Sequence, residues 1–350
     1  MSIRSLVRGG VFVAALLALP LLGFEHWVLN LMIFTLMYAA MSSAWNLVGG
    51  FAGYPSLGHA AFFGLGAYFV GLWFQHHAVV TGYEPFLVLP LAGLIAAVIG
   101  FPIAWIAMRT RADVFAIVTI TLLFVAQTLA FNLDGLTGGA QGLAMPTPPF
   151  ELARFEWPFY YAMLWILLTS MAITYLSMRS KVGLSLDAIR ADEDKALGVG
   201  VHVQGVKVLS FSVSVALVAM AGGVWAYYET YTYPQFAFDP IITIGMVLMC
   251  FLGGRGTLWG PVIGAFILVP GQQYLAYRLG GSQFYLIAYA GVFLLIMLLM
   301  PRGVLPTIAD RLRRRRAIAA SAGGPPPADA SPPPSAGPTS NVPVPSGGAA

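Results

Sequence analysis

Residues 51–68 read FAGYPSLGHAAFFGLGAY, inside a run of 58 residues between Glu25 and Glu84 that holds no Asp, Glu, Lys or Arg. A soluble domain cannot bury so long an uncharged, apolar stretch. A bilayer can: about 20 residues cross a hydrocarbon core of ~30 Å as a helix. The run is therefore long enough for two crossings, joined by a Gly/Pro turn at Gly49 to Pro55.

The rest of the chain follows the same rule. Of its 350 residues, 58% are hydrophobic and 9% charged, the composition of a polytopic membrane protein. Besides His26 to Tyr83, charge-free stretches cover Gly9 to Phe24, Pro85 to Met108, Val114 to Leu133, Trp157 to Met178, Val208 to Tyr228, Pro240 to Gly254, Gly256 to Tyr277 and Leu279 to Pro301. With two spans in the first run, these make ten. Each must be helical, because unpaired backbone groups in lipid are costly and a β-barrel needs a polar alternation these runs lack. The expected fold class is an all-α polytopic membrane protein of about ten transmembrane helices. Two spans are unusual. Gly9 to Phe24 follows Arg4 and Arg8 as a signal peptide would, but Pro20 and Leu21 stand where a small-residue cleavage site belongs, so an uncleaved first helix is expected. Pro240 to Gly254 is about 22 Å long at ~1.5 Å per residue. It either borrows Phe236 to Phe238 or is a broken helix among its neighbours.

Basic residues set the orientation. With residues 1–8 inside, the inner segments carry Arg4, Arg8, Arg109, Arg111, Arg179, Lys181, Arg190, Lys195, Lys207, Arg255, Arg302, Arg311 and Arg313 to Arg316, 16 of the 18 basic residues. Arg154 and Arg278 alone fall outside. An error of one span would scramble that split, so both termini are expected in the cytoplasm. The transmembrane domain then covers 9–301, with a cytoplasmic loop at 179–207. A basic segment at 302–316 anchors the last helix end at anionic lipid through Arg313 to Arg316. From Ala317 to Ala350 the chain is mostly Ala, Pro, Ser and Gly with one acid, Asp329, and is expected to be disordered. The net charge of +4 reflects the inner loops and does not point to nucleic acid. Cys250 is the single cysteine, so no disulfide forms within the chain, and neither a metal site nor a cofactor is expected.

Three segments differ from plain lipid-facing helix. In PSLGHAAFFGLGAY, Pro55 and Ser56 look like a helix start with Ser56 as cap, and Gly58, Ala60, Ala61, Gly64, Gly66 and Ala67 form a small-residue face for close helix approach. His59, one turn in, either locks packing by donating to a backbone carbonyl or lines a substrate route with Ser56 and Gly58, since helix starts favour groups such as a carboxylate. The outer segment Asp134 to Glu156 contains LTGGAQGLAMPTPP, in which Thr137, Gly138, Gly139, Gln141 and Gly142 are candidates for docking an external partner. The third segment is the cytoplasmic loop. Ser185 caps an expected helix that runs through Leu186, Ile189, Arg190, Asp192, Glu193 and Leu197 to Gly198, with its acids in the first turns. Leu186 and Ile189 share one face, as in a helix that docks a cytoplasmic partner.

Catalysis has little support. The chain lacks HExxH, a buried acid pair and a GxxxxGK[ST] phosphate loop, and Ser56 with His59 needs a base from elsewhere. A self-sufficient secondary transporter or channel would place acids or bases inside the spans for ion coupling. The nine charge-free stretches contain no Asp, Glu, Lys or Arg.

Four stretches together resemble the M-type permease subunit of bacterial branched-chain amino acid ABC importers. They are WNLVGGFAGYPSLGHAAFFGLGAY, LTGGAQGL, SKVGLSLDAIRADED with ALGV, and MAGGVWAYYETYTYPQFAFDPIITIGMVLMCFLGGRGTLWGPVIGA, in the family's order over roughly Ala40 to Val304. The resemblance implies a multi-pass protein of the bacterial inner membrane that is not itself an enzyme. Its implied partners are a sister permease in a heterodimer, two cytoplasmic ATPase subunits seated on Ser185 to Gly198, and an external binding protein. The implied solutes are leucine, isoleucine and valine, although relatives carry urea, short-chain amides or aromatic acids. Between Arg190 and Gly198 this chain has ADEDKAL, two residues shorter than the stretch usual in the family.

Overall fold

The computed structural model describes residues 3–77 and 79–279, and beyond them Gly291, Leu294, Leu298, Gly303, Val304, Leu305 and Thr307. The chain divides into Met1–Ile308 and Ala309–Ala350, and every described residue belongs to the first unit. Apart from those single positions, the expected tenth span, the basic segment and the tail lie outside the described residues.

The helices are α1 (Ile3–Ala18), α2 (His26–Trp45), α3 (His59–His76), α4 (Glu84–Ala107), α5 (Ala112–Asn132), α6 (Asp134–Thr137), α7 (Glu156–Arg179), α8 (Lys181–Ala191), α9 (Glu193–Gly198), α10 (Val203–Glu229), α11 (Pro234–Ala237), α12 (Pro240–Gly253) and α13 (Gly260–Leu279). Two short strands, β1 (Leu143–Ala144) and β2 (Tyr231–Thr232), pair antiparallel. Among the described residues, six helical stretches are long and apolar enough to cross a membrane: His26–Ala52, Glu84–Ala107, Ala112–Asn132, Leu152–Arg179, Val203–Glu229 and Pro234–Gly253. α3 and α13, of 18 and 20 residues, have spanning length with less apolar composition.

α10 is the centre of the bundle. It packs on α3, α4, α2 and α7, and 78% of its apolar window is buried, against 28% for α4 and 22% for α5. Those two helices turn Leu87, Leu94, Val98, Ile106, Ile117 and Leu129 outward, as a lipid-facing surface requires. Small residues let α3 reach α10: a Cβ built on Gly66 would stand 2.0 Å from the Ala219 carbonyl oxygen, and one on Gly222 would stand 2.0 Å from that of Phe63. With no water to expel between helices in lipid, such close backbone approach supplies the packing energy.

The break between the first two crossings is later than the expected Gly49 to Pro55. The α2 helix runs on as a wider π-type turn over Asn46–Ala52, and the chain leaves helix only from Gly53 (φ 77°) to Gly58. Glycines at 49 and 50 make room for the Trp45 ring and the Asn46 carboxamide to fold back beside the widened turn. Such insertions mark functional positions more often than plain helix does. The short eighth span is reached by a separate turn of helix, α11, before α12, which Asp239 caps by accepting the Ile241 amide at 2.8 Å.

Candidate functional site

The loop after α7 folds back onto the broken end of α2. Ser180 caps α8, its Oγ accepting the Val182 amide at 3.2 Å. Ser185, the expected cap, lies mid-helix and donates to the Lys181 carbonyl at 2.9 Å. The single helix expected from Ser185 to Gly198 is two, because Asp192 leaves helical geometry (φ −167°, ψ 112°) and caps α9 by accepting the Lys195 amide at 3.1 Å. Lys195 Nζ also bonds Asp192 at 2.9 Å, and that hydrogen bond holds the Asp192 carboxyl below its ordinary range.

Leu186 and Ile189, expected to face a partner, are 1% and 4% exposed. α8 packs on α7, α10 and the wide turn of α2, so both side chains face the chain's own membrane domain. The helical spacing of Gly183, Leu186 and Ile189 states that a face is buried, not what covers it. The apolar residues left outside are Leu184, Leu197 and Val199, at 72%, 55% and 79% exposure.

Polar contacts join this loop to the break. Arg190 Nη1 donates to the Gly50 carbonyl at 3.0 Å. Lys207 Nζ donates to Glu193 at 2.7 Å and to Tyr54 Oη at 3.0 Å, and stands 4.2 Å from the centroid of the Tyr54 ring. The Tyr54 hydroxyl donates to the second oxygen of Glu193. Lys207, which the charge pattern put in the loop, is in fact one turn into α10 and 1% exposed, while the Glu193 side chain is 35% exposed. An ammonium so enclosed needs a carboxylate to remain charged. Its signal in the sequence is the shared helical face with Phe211 and Val215, four and eight residues on, both fully buried. Tyr54 carried no such signal. Asn46 makes a further joint: Nδ2 donates to the Thr257 carbonyl at 2.9 Å, and Oδ1 accepts the Gly256 amide at 2.8 Å. The loop 180–202, the break in α2 and the turn before α13 are thus one hydrogen-bonded assembly.

Ser56, Gly58 and His59, the candidate route residues, are enclosed within the bundle and not on an open wall. Ser56 does not cap α3; Gly58 holds that position without a side-chain bond, and His59 is the first helical residue instead of lying a turn in. Ser214 Oγ donates to the Ala44 carbonyl at 2.7 Å, which leaves it to accept from His59 Nε2 at 2.9 Å. His59 Nδ1 then accepts from Ser56 Oγ at 2.9 Å. This chain of bonds ties α3, α10 and α2 together. Replacing His59 by Leu leaves the buried Ser56 hydroxyl without its acceptor, at about 1–3 kcal/mol, while Ser214 keeps its bond to the Ala44 carbonyl. We expect His59→Leu to be depleted from membranes and His59→Gln to be retained, as read by immunoblot of membrane fractions. Normal levels of both with abolished uptake would put His59 on the solute route.

The segment Asp134 to Glu156, expected outside, is ordered. Thr137 Oγ1 lies 2.6 Å from the Ala130 carbonyl oxygen, and Gly138, Gly139 and Gly142 adopt φ of 72°, 55° and 75°. A Cβ at Gly139 would stand 1.8 Å from Asp134 Oδ1. β1 then pairs with β2, and Tyr231 Oη donates to the Gln141 carbonyl at 2.8 Å. The segment clips the ends of α5 and α10 together, leaving the Gln141 side chain exposed. Among the described residues no three His, Cys, Asp or Glu gather as a metal site. Among the described residues, cavities open at the end of the bundle remote from the loop. One, of about 990 Å³, lies beside the His26–Glu156 pair (2.9 Å) and Arg278, and the other, of about 590 Å³, beside Glu229 and Asp239.

A helical bundle with a broken crossing, a loop latched to that break at one end and cavities at the other is the architecture of a multi-pass membrane protein. The family described as "Branched-chain amino acid transport system / permease component" matches residues 27–301, and the chain belongs to that family. It is the permease component of such a system and not its catalytic part. Among curated proteins it is similar to the high-affinity branched-chain amino acid transport system permease protein LivM of Escherichia coli K12, 24% identical over 88% of this chain and 78% of that one. It is also similar to LivH of Salmonella typhimurium, 23% identical over 77% of this chain and 91% of that one. A third relative is the probable branched-chain amino acid transport permease protein LivH of Methanocaldococcus jannaschii, 23% identical over 67% and 78%. No solved structure matches the chain.

Proposed function

We propose that this chain forms part of the translocation pathway of an ATP-driven importer for leucine, isoleucine and valine. In this reading it works with a sister permease, two cytoplasmic ATPase subunits and an external binding protein. It crosses the bacterial inner membrane ten times with both termini inside. One observation carries the proposal: the loop 180–202 is bonded to the break in α2 through Arg190, Glu193, Lys207 and Tyr54 while Leu184, Leu197 and Val199 stay exposed. A connector has no use for an apolar outer face. A helix pair that takes up motion from an ATPase groove and passes it to the membrane domain needs both the face and the bonds. The solute class rests on what the relatives are named for transporting. Sidedness is supported by grouping: segments expected inside (Gly50, Tyr54, Arg190, Gly256) meet at one end, and segments expected outside (Gln141, Tyr231, Glu156, His26) lie at the other.

The test is a Leu184→Asp, Leu197→Asp, Val199→Asp variant in the reconstituted importer. An unpaired charge in an apolar groove is costly, and these side chains are more than half exposed within the chain. We expect normal membrane levels, loss of ATPase copurification and loss of uptake, with a reporter fused after Asp187 reading cytoplasmic. Wild-type copurification and uptake would reduce the loop to a connector, and an external reporter signal would overturn the topology.

A further inference from the structure

We propose that the cavity of about 590 Å³ at the Glu229 end of α10 is a binding site for an ammonium group carried on an apolar body, such as an α-amino acid with an aliphatic side chain. Its volume falls within the roughly 300–1,000 Å³ of small-molecule sites. Two carboxylates, Glu229 and Asp239, line it, and among the described residues no Lys, Arg or His does. Glu229 is exposed to the cavity and has no hydrogen bond or ion pair with any described residue. Asp239 spends one oxygen on the Ile241 amide, 2.8 Å away, which leaves the other for a ligand.

The walls suit the same chemistry. Phe63 and Trp225 stand 5.3 Å apart between ring centroids, and Tyr233 lies 4.6 Å from Tyr231 and 6.0 Å from Phe236. Aromatic faces attract a cation, and carboxylates take its N–H bonds. Met37 and Ile242 offer an apolar floor for an aliphatic side chain. The Tyr233 hydroxyl makes no hydrogen bond among the described residues and can donate to the carboxylate of a zwitterion. An acid lacking an amine would meet two like charges and no cation, and is rejected. The backbone is shaped for this arrangement. Thr230, the one non-glycine residue with positive φ among those described (φ 59°), turns the chain between Glu229 and Tyr231, both of which line the cavity. The 27 residues of α10 put the site ~40 Å from its loop end, about one bilayer away. A solute arriving from the side opposite the ATPases would therefore meet this cavity first.

The inference rests on the proposed function for the identity of the solute, but not for the preference for an ammonium. Its test is binding of radiolabelled L-leucine to the permease–ATPase complex in nanodiscs. The competitors are isoamylamine, which lacks the carboxylate, and 4-methylpentanoate, which lacks the amine. We expect isoamylamine to compete and 4-methylpentanoate not to. Glu229→Gln should weaken leucine binding about tenfold or more, and Glu229→Asp should retain it. Asp239→Asn keeps a competent helix cap, so a weakened affinity there reads the lost charge and not a lost fold. Unchanged affinity in the Glu229→Gln, Asp239→Asn double variant, or equal competition by both analogues, would overturn the assignment. Binding of radiolabelled isoamylamine without leucine would keep the site and remove the amino-acid reading. Binding of neither, with leucine uptake by the full importer intact, would remove the site and keep that reading.

Discussion

Gly222→Val is expected to abolish accumulation of the folded protein. The added Cβ would stand 2.0 Å from the Phe63 carbonyl oxygen, on a backbone that has no rotamer with which to yield. α3 and α10 must separate, and they hold each other reciprocally, since a Cβ built on Gly66 would stand 2.0 Å from the Ala219 carbonyl oxygen. Phe63, Ala67, Val70, Val218 and Ala221 are buried along these two helices. Overpacking a core with side chains costs roughly 1–3 kcal/mol and more where nothing can move. A backbone collision at the central helix belongs at or above the top of that range. Gly271→Ala is the control, because a Cβ there meets nothing within 4 Å. Membrane abundance and the melting temperature of the purified complex are the measurements. A Gly222→Val protein at wild-type abundance with an unchanged melting temperature would show that α3 and α10 are not packed as described.

Glu193→Ala is more damaging than Lys207→Met, although the two residues form one pair. Removing Glu193 leaves an ammonium at 1% exposure with the Tyr54 hydroxyl and ring as its remaining partners. Stranding a buried charge costs about 3–5 kcal/mol. Removing Lys207 leaves a carboxylate that is 35% exposed and can hydrate, so the loss is smaller, about 1 kcal/mol. The double variant Glu193→Gln, Lys207→Met removes both charges and should recover most of the melting temperature lost in Glu193→Ala. If the pair also transmits motion, that double variant hydrolyses ATP at a normal rate yet carries less solute per ATP. Equal melting temperatures for the two single variants would show that Lys207 is not enclosed as described. A double variant with full coupling would confine the pair to a stabilising role.

The membrane fold was legible because its cause is compositional. Lipid cannot solvate charge or bare backbone, so charge-free stretches mark helices directly, and α2, α4, α5, α7 and α10 all fall where those stretches lie. Helix ends were less legible, because capping is a contest between neighbours. Ser185 and Ser180 are both competent caps by type, and the choice between them depends on Ser180 leaving helical geometry at the end of α7. The broken crossing was visible as a Gly/Pro cluster, but its position was not. The π-type turn extends α2 to Ala52 because the Trp45 indole, donating to the Ser56 carbonyl at 2.8 Å, and the Asn46 carboxamide hold it there.

From the sequence alone it follows that the chain is helical and crosses a membrane many times, that its small-residue face on α3 admits a close neighbour, and that the loop 179–207 forms helix. All of these are set by local composition and periodicity. The partners of each face belong to the tertiary structure. Periodicity marks Leu186 and Ile189 as a buried face, but only the packed bundle shows that the cover is α7, α10 and the end of α2. His59 looks the same in sequence whether it lines a route or locks three helices, and the hydroxyls on either side of it, Ser56 and Ser214, are separated by more than 150 residues. Lys207 counts as a loop charge until Glu193 and Tyr54 are brought around it. A side chain's burial and partners are properties of every element packed on it, and those elements come from distant parts of the chain.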